Sequence, residues 1–440
     1  MTRQTPAPII PAALTAAALA MLLTTGCGRG NKPGDDASAD ADKPVTLRLW
    51  HIMNYSGPRE VLAEAVERFE TEHPGVKVDV QTYENDAYKT KLAVEMAGGN
   101  PPDVFFTWGG GGLASLVDAG KVHPLTTALA ENGWGDRVLP AAMDLCQVDG
   151  DAYAVPLDLS CVPLWYNRRL FEEHGLRPPA TVDDLVALSS QLRELDLTPL
   201  ALGNRQQWPG AFYFIYLAAR HGGVDLFLEA ATGQGDASFA DSAFVAAGED
   251  LRRLVDAEAF PTGFNGIETA QARTLFLTDR AAMMVMGTWL VARVATEKPE
   301  FMDDLACAAF PAATGGAGRA GRAGTVVGGV NCAFAVSANS EHPELAVKLI
   351  RALTTEQVAA QWCEIGRIPA LEVPVTALDK LPRPTLAAWQ MLKNATALQP
   401  YYDQYLPPRL AEIHKSTTQA IFAGTMTPKE AAERMAEAAE

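Results

Sequence analysis

The sequence predicts an α/β protein of two lobes, and three observations carry that prediction. The chain has 440 residues, too many for one hydrophobic core, because single cores stop growing at roughly 250 to 300 residues. Strand-like and helix-like patterns alternate from residue 45 onward, as in sheets crossed by helices. The alternation breaks and restarts at residues 146–172, CQVDGDAYAVPLDLSCVPLWYNRRLFE. There Asp149-Gly150 signals a hairpin, and the β-branched and aromatic run 162–166 reads as a strand crossing from one lobe to the next.

Composition narrows the function. Hydrophobic residues make up 48% and charged residues 20%, a globular balance. A net charge of −17, from 53 acidic against 36 basic side chains, argues against neutralising a nucleic-acid backbone. A neutral or cationic small ligand fits better. Residues 1–26 read as an export signal: Arg3 is the positive start, 9–23 an Ala-rich apolar stretch too short to span a bilayer comfortably, and Thr24-Thr25-Gly26 a run of small residues before Cys27. That placement of Cys27 resembles the lipobox of bacterial lipoproteins, although the expected leucine stands one position early, as Leu23. Lipidation at Cys27 would anchor the exported chain to the outer face of the cell membrane; ordinary secretory cleavage is the alternative. Residues 27–44, rich in Gly, Asp, Ala, Ser and Pro, read as a flexible tether behind the acylated cysteine.

The first lobe opens with a strand at 45–50, a helix at 58–72 with Pro58 at its start, and a strand at 76–83, a βαβ unit that implies parallel pairing. A helix at 86–97 follows. The run PDVFFTW, 102–108, reads as a strand buried on both faces, and the glycines 109–112 allow a close turn into a short helix. Trp108 therefore lies beyond the carboxyl end of a parallel strand, where α/β sheets place ligands. After the crossing, Thr181 to Asp184 form a capping box for a helix to residue 195. A strand at 200–202, helices at 208–221, 241–257 and 267–277, and strands at 282–286 and 305–311 follow. Residues 326–336 read as a second crossing strand, 342–353 and 355–364 as helices, 366–374 as a connector. The remainder reads as helical, with a break at Pro407-Pro408 and a fresh start at Thr427-Pro428.

Several separated motifs coincide in order with one family. Cys27, PDVFFTW, GDAYAVPLDLSCVPLWYNRRLF, DRAAMMVMGTW, GGVN with the strand after it, HPELAVKLI and DQYLPP resemble the extracellular carbohydrate-binding lipoproteins of bacterial ABC importers, of the maltodextrin-binding type. The resemblance covers nearly all of the chain after residue 26. It implies a two-lobed, type II periplasmic-binding-protein-like fold with three crossover segments, lobe one being 45–160 plus 331–368 and lobe two 165–325 plus 374–440. It further implies that the protein binds a neutral mono- or oligosaccharide in the interlobe cleft and delivers it to the permease subunits of an ABC importer, without chemistry, cofactor or metal. The alternative is a secreted carbohydrate-active hydrolase using carboxylates such as Asp103 or Asp158. A surface adhesin is a third reading.

Sugar recognition needs flat apolar faces for ring C–H groups and amides, carboxylates or guanidinium groups for hydroxyls. By the resemblance, Trp108 matches an aromatic of the first lobe, Trp208 and Trp289 match stacking positions of the second, and Tyr402 with Asp403 falls where the C-terminal region closes the site. Packing in a core is the alternative for each tryptophan. Asn54 follows the first strand and suits a hydroxyl partner, while His51 beside it is as well suited to a structural role. The family often carries an acid close to Ser160, which leaves Asp158 as the acceptor here. Gln206, Gln207, Asn331 and Arg367 are weaker candidates.

Among catalytic patterns, GxSxG, HExxH and the phosphate loop are absent. Gly316 to Gly321 spell GxGxxG but lie between strands and open no helix, so they are no dinucleotide site. Cys146, Cys161, Cys307, Cys332 and Cys363 lack zinc spacing and read as buried thiols or one or two disulfides, with Cys146–Cys161 and Cys307–Cys332 the preferred pairs.

Overall fold

The computed structural model describes residues 44–313 and 323–440, and Pro44–Glu440 form one compact unit. The export signal, Cys27, most of the tether and the GxGxxG run fall outside the described residues. Among the described residues thirteen strands follow in chain order: β1 (Val45–His51), β2 (Val76–Thr82), β3 (Val104–Thr107), β4 (Gln147–Val148), β5 (Asp151–Ala152), β6 (Ala154–Cys161), β7 (Leu164–Asn167), β8 (Thr198–Leu200), β9 (Ala281–Val285), β10 (Leu305–Ala308), β11 (Thr325–Val336), β12 (Ile368–Pro369) and β13 (Ala397–Gln399).

The first sheet has the order β12-β6-β11-β3-β1-β2, with β13 paired to β11. As the βαβ pattern requires, β1 runs parallel to both β2 and β3. All four residues of β3 are buried, because a strand on each side and cover on both faces leave it no solvent. The long strand β11 lies antiparallel to β3 and to β6, with a register break around Asn331. The second sheet has the order β10-β7-β9-β8. Each sheet anchors its own core: Leu47, Leu49, Phe106 and Trp362 belong to one, Leu164, Tyr213, Met283 and Phe422 to the other.

The chain passes from the first sheet to the second between β6 and β7. The sequence predicts one strand over 162–166; instead Val162-Pro163 interrupts it, since proline cannot donate to a ladder. The Asp149-Gly150 hairpin forms, both residues at positive φ (51° and 88°) between β4 and β5. Helices Pro58–Glu72 and Trp208–His221 begin and end where the sequence places them. Strand β8 lies two residues earlier than expected, and helix Val224–Thr232 was not expected at all.

The glycine run has a steric cause. A Cβ on Gly110 or Gly111 would collide with the backbone of Gln404 to Leu406, which packs directly on this turn. The disulfide expectation is corrected: all five described cysteines are free. Cys307 stands on β10 of the second sheet and Cys332 on β11 of the first. Cys146 packs with Phe105 and Leu113, whereas Cys161 packs with Trp165 and Met284. Burial raises the thiol pKa of Cys363 to about 11 and of Cys307 to about 12, so both stay protonated.

Candidate functional site

A cleft of about 580 Å³ opens between residues packed on the first core and residues packed on the second. One wall comes from the loop after β1, the start of helix Asn85–Gly98 and the residue after β3. Asn54 donates to Glu84 Oε1 at 2.6 Å. Trp108 lines the cleft with its edge held by Phe106 and Tyr88, at 4.6 and 6.2 Å between ring centres. The Lys89 ammonium sits 4.8 Å over the Trp108 ring and 3.8 Å from Asp403. Desolvation lowers the Lys89 pKa, opposed by the Asp403 charge. His51 is buried beneath this wall, where its Nδ1 accepts the Met53 N–H at 3.1 Å. Burial lowers its pKa to about 4, so it is neutral at pH 7 and structural.

The opposite wall is aromatic. Gln207, at φ 65°, turns the chain so that Trp208 opens helix Trp208–His221 at the cleft. Trp289 opens helix Trp289–Glu297 directly after β9 and Gly287-Thr288. The two indoles lie 6.1 Å apart at 63°, and Phe212 bridges Trp208, Trp289 and Tyr401 at 5.6, 6.2 and 5.7 Å. Gln206 also lines the cleft, accepting from the Thr269 N–H and hydroxyl at 3.0 and 2.9 Å. Gln207 turns away and donates to Gln419 at 2.8 Å.

Two expected ligand groups are placed otherwise. Asp158 is 1% exposed and pairs with Arg367, whose Nε and Nη2 both lie 2.7 Å from Asp158 Oδ2. Burial pushes the Asp158 carboxyl up against the pull of that guanidinium. Asn331 donates to the same carboxylate at 3.1 Å. The register break in β11 frees Asn331 from the ladder, as β-bulges do, and leaves it on the cleft wall. Asp158 therefore holds Arg367 and Asn331 in place instead of meeting a ligand. Tyr402 is buried and stacks on Phe227 at 3.8 Å, within the second core. Its neighbour Tyr401 lines the cleft together with Asp403. Tyr401 is the extended residue that precedes the short helix Tyr402–Tyr405, and the change of conformation between the two tyrosines is not revealed by sequence spacing alone.

Sequence reasoning also missed Lys89, Phe212, Glu268, Arg273 and Arg293. A signal existed for Arg293: it stands four residues after Trp289 on one helix, hence on the same face. Among lining residues the acids Glu84, Asp86, Glu268 and Asp403 stand beside the bases Lys89, Arg273 and Arg293, with Arg367 already paired to Asp158. Asp103 accepts from the Arg48 N–H at 2.8 Å and the Ser340 hydroxyl at 2.6 Å, a structural use. No group of three potential metal ligands occurs among the described residues, and no described helix is long and apolar enough to cross a membrane.

Two sheets with separate cores, a chain that crosses between them and a cleft of aromatic and hydroxyl-seeking groups define a ligand-binding protein of the type II periplasmic-binding-protein fold. A family model described as bacterial extracellular solute-binding protein matches residues 55–360, and the chain belongs to that family. Membership places it among binding proteins, not enzymes. At 30% identity and a TM-score of 0.84, 89% of the chain matches 99% of a structure from a study of xylan utilization by the thermophilic bacterium Caldanaerobius polysaccharolyticus. Over 365 residues, 80% of each protein, it is 23% identical to the multiple sugar-binding protein of Streptococcus mutans. An uncharacterized ABC transporter extracellular-binding protein of Pyrococcus horikoshii is 24% identical over 287 residues; the match spans 63% of that relative's length and 63% of this chain.

Proposed function

We propose that the protein captures a neutral mono- or oligosaccharide in this cleft and hands it to the permease subunits of an ABC importer while tethered to the outer face of the cell membrane through a lipid on Cys27. The observation that carries the reading is that Trp208 and Trp289, with Asp403 on their side of the cleft, face Asn54 and Asp86 on the other. Stacking faces for ring C–H groups stand opposite groups that hydrogen-bond hydroxyls. With Arg367 already paired to Asp158, four lining acids stand against three lining bases, which disfavours an anionic ligand. Similarity to a multiple sugar-binding protein and to a protein studied for xylan utilization supports the same class.

In this reading the lobes are 45–160 plus 331–368 and 165–325 plus 374–440, and Asn54, Trp108, Trp208, Trp289, Asn331 and Asp403 meet the ligand. Closure follows from contacts the sugar makes with both lobes at once. The test is a thermal-shift screen of protein lacking residues 1–27 against neutral mono- to tetrasaccharides of the xylo, cello, chito and malto series, with tryptophan fluorescence as second readout. At least one series should raise the melting temperature and change the fluorescence. No response from any sugar would sink the proposal. Cys27→Ser should release the chain from the membrane fraction, and unchanged membrane retention would refute the anchor.

A further inference from the structure

Besides Asp403, which reaches Lys89, a second side chain on the aromatic side of the cleft reaches the polar wall directly. The Arg293 guanidinium carbon stands 3.7 Å from the centre of the Tyr55 ring, and Arg293 Nη2 donates to Asn54 Oδ1 at 3.3 Å. Arg293 belongs to a helix packed on the second sheet, and Tyr55 and Asn54 to the loop after β1 of the first. Tyr55 is in turn held from behind, where Arg367 Nη1 donates to its hydroxyl at 2.8 Å while Arg367 pairs with Asp158. Both ends of this chain are anchored: Asp158 lies on β6, just before the passage to β7, and Arg367 just before β12.

We propose that Arg293 is a latch across the cleft: its stack on Tyr55 favours the closed arrangement of the lobes by protein contacts alone, with Asp158 and Arg367 orienting the ring that receives it. A flat guanidinium over an aromatic face is attracted by the ring quadrupole, and partial exclusion of water strengthens the attraction. Swinging the lobes apart breaks both Arg293 contacts together. The latch thus raises the population already competent to hold a ligand, which raises apparent affinity by the same factor. Arg293 is then a positioning residue whose loss shifts the open-to-closed ratio by about tenfold. The inference rests on the hinged-cleft reading but not on which ligand is taken.

The experiment uses the full chain in detergent without sugar, spin-labelled at Val80→Cys and Leu195→Cys. These are exposed positions on the first sheet and beside the second core, and the protonated native thiols react slowly. Pulsed dipolar spectroscopy reads the distance between the labels. Arg293→Ala and Tyr55→Leu should each shift the distribution to longer distances. Tyr55→Phe, which keeps the ring and loses only the Arg367 contact, should stay closer to the parent. Combining Arg293→Ala with Tyr55→Leu should add nothing to Arg293→Ala alone, because that variant already removes the stack. A parent-like distribution in either single variant overturns the latch, as does a Tyr55→Phe distribution matching that of Tyr55→Leu. The two variants attack the contact from opposite walls, so a folding failure in one leaves the other decisive. With no sugar present, failure here leaves the screen above standing, and failure of that screen leaves this result standing.

Discussion

The two walls of the cleft solve different physical problems. The wall beside the second core is preassembled from rings, Trp208, Phe212, Trp289 and Tyr401, each braced by another. The wall beside the first core is built of polar side chains whose positions depend on ionic and hydrogen-bonded partners: Asn54 on Glu84, Lys89 on Asp403, Asn331 on Asp158. The aromatic wall supplies area that tolerates small displacements. The polar wall supplies direction, and it fails when a partner is lost.

The largest test of that contrast is Arg367→Ala. Removing one member of a buried ion pair leaves Asp158 uncompensated, so the variant should lose about 3 to 5 kcal/mol of stability in urea melts. A loss under 1 kcal/mol would show that the polar wall does not depend on this pair.

Acid should weaken the fold beneath and beside both walls. His51 and His414 have folded pKa values lowered by burial from 6.5 to about 4 and about 3. The unfolded chain therefore binds more protons below pH 6.5. The stability they contribute is complete above that pH and drains away as pH falls toward the folded values. The parent melting temperature should decline between pH 6.5 and 4, and His414→Phe should flatten that decline. Parallel curves for parent and variant would contradict the assignment.

On the aromatic side, Trp289→Ala should weaken sugar binding about thirtyfold, the scale of an anchoring ring, with melting temperature changed less than in Arg367→Ala. Gly287→Ala should act in the same direction, because its methyl would collide with the Trp289 ring. Titration with the best sugar from the screen decides both, and unchanged affinity in Trp289→Ala would remove that ring from the site. Asn54→Ala should cost least, about threefold to tenfold in affinity, the worth of one neutral hydrogen bond. An effect larger than that of Trp289→Ala would invert the comparison of the walls.

Much of the framework was legible because local chemistry decides it. Pro58 and the Thr181-Asp184 capping box mark helix starts that no tertiary contact needs to supply, and the alternation of 45–50 and 76–82 needs only a core to face. Elements that exist only through partners were not legible: β12 and β13 are two and three residues long, and pairing with β6 and β11 makes them strands. The same distinction divides the site. Trp108, Trp208 and Trp289 follow strands or turns, so their reach toward the cleft could be read from position. Asp158 carries the right chemistry for a ligand, yet its role is set by Arg367, more than two hundred residues away. Tyr401 is extended and reaches the cleft while Tyr402 opens a short helix and turns into the second core, a distinction set by packing. Arg293 was hidden because its partners lie on the other wall.

The packing of Gln404 to Leu406 onto Gly110 and Gly111 sets a rule for re-engineering selectivity. Backbone touches backbone along that seam, so the turn has no side chain to exchange and no room to accept one. Libraries aimed at new sugars gain nothing by randomising it. Diversity is better spent at Asn54, Asp86 and Gln206, where a changed side chain alters the cleft without prying the molecule apart.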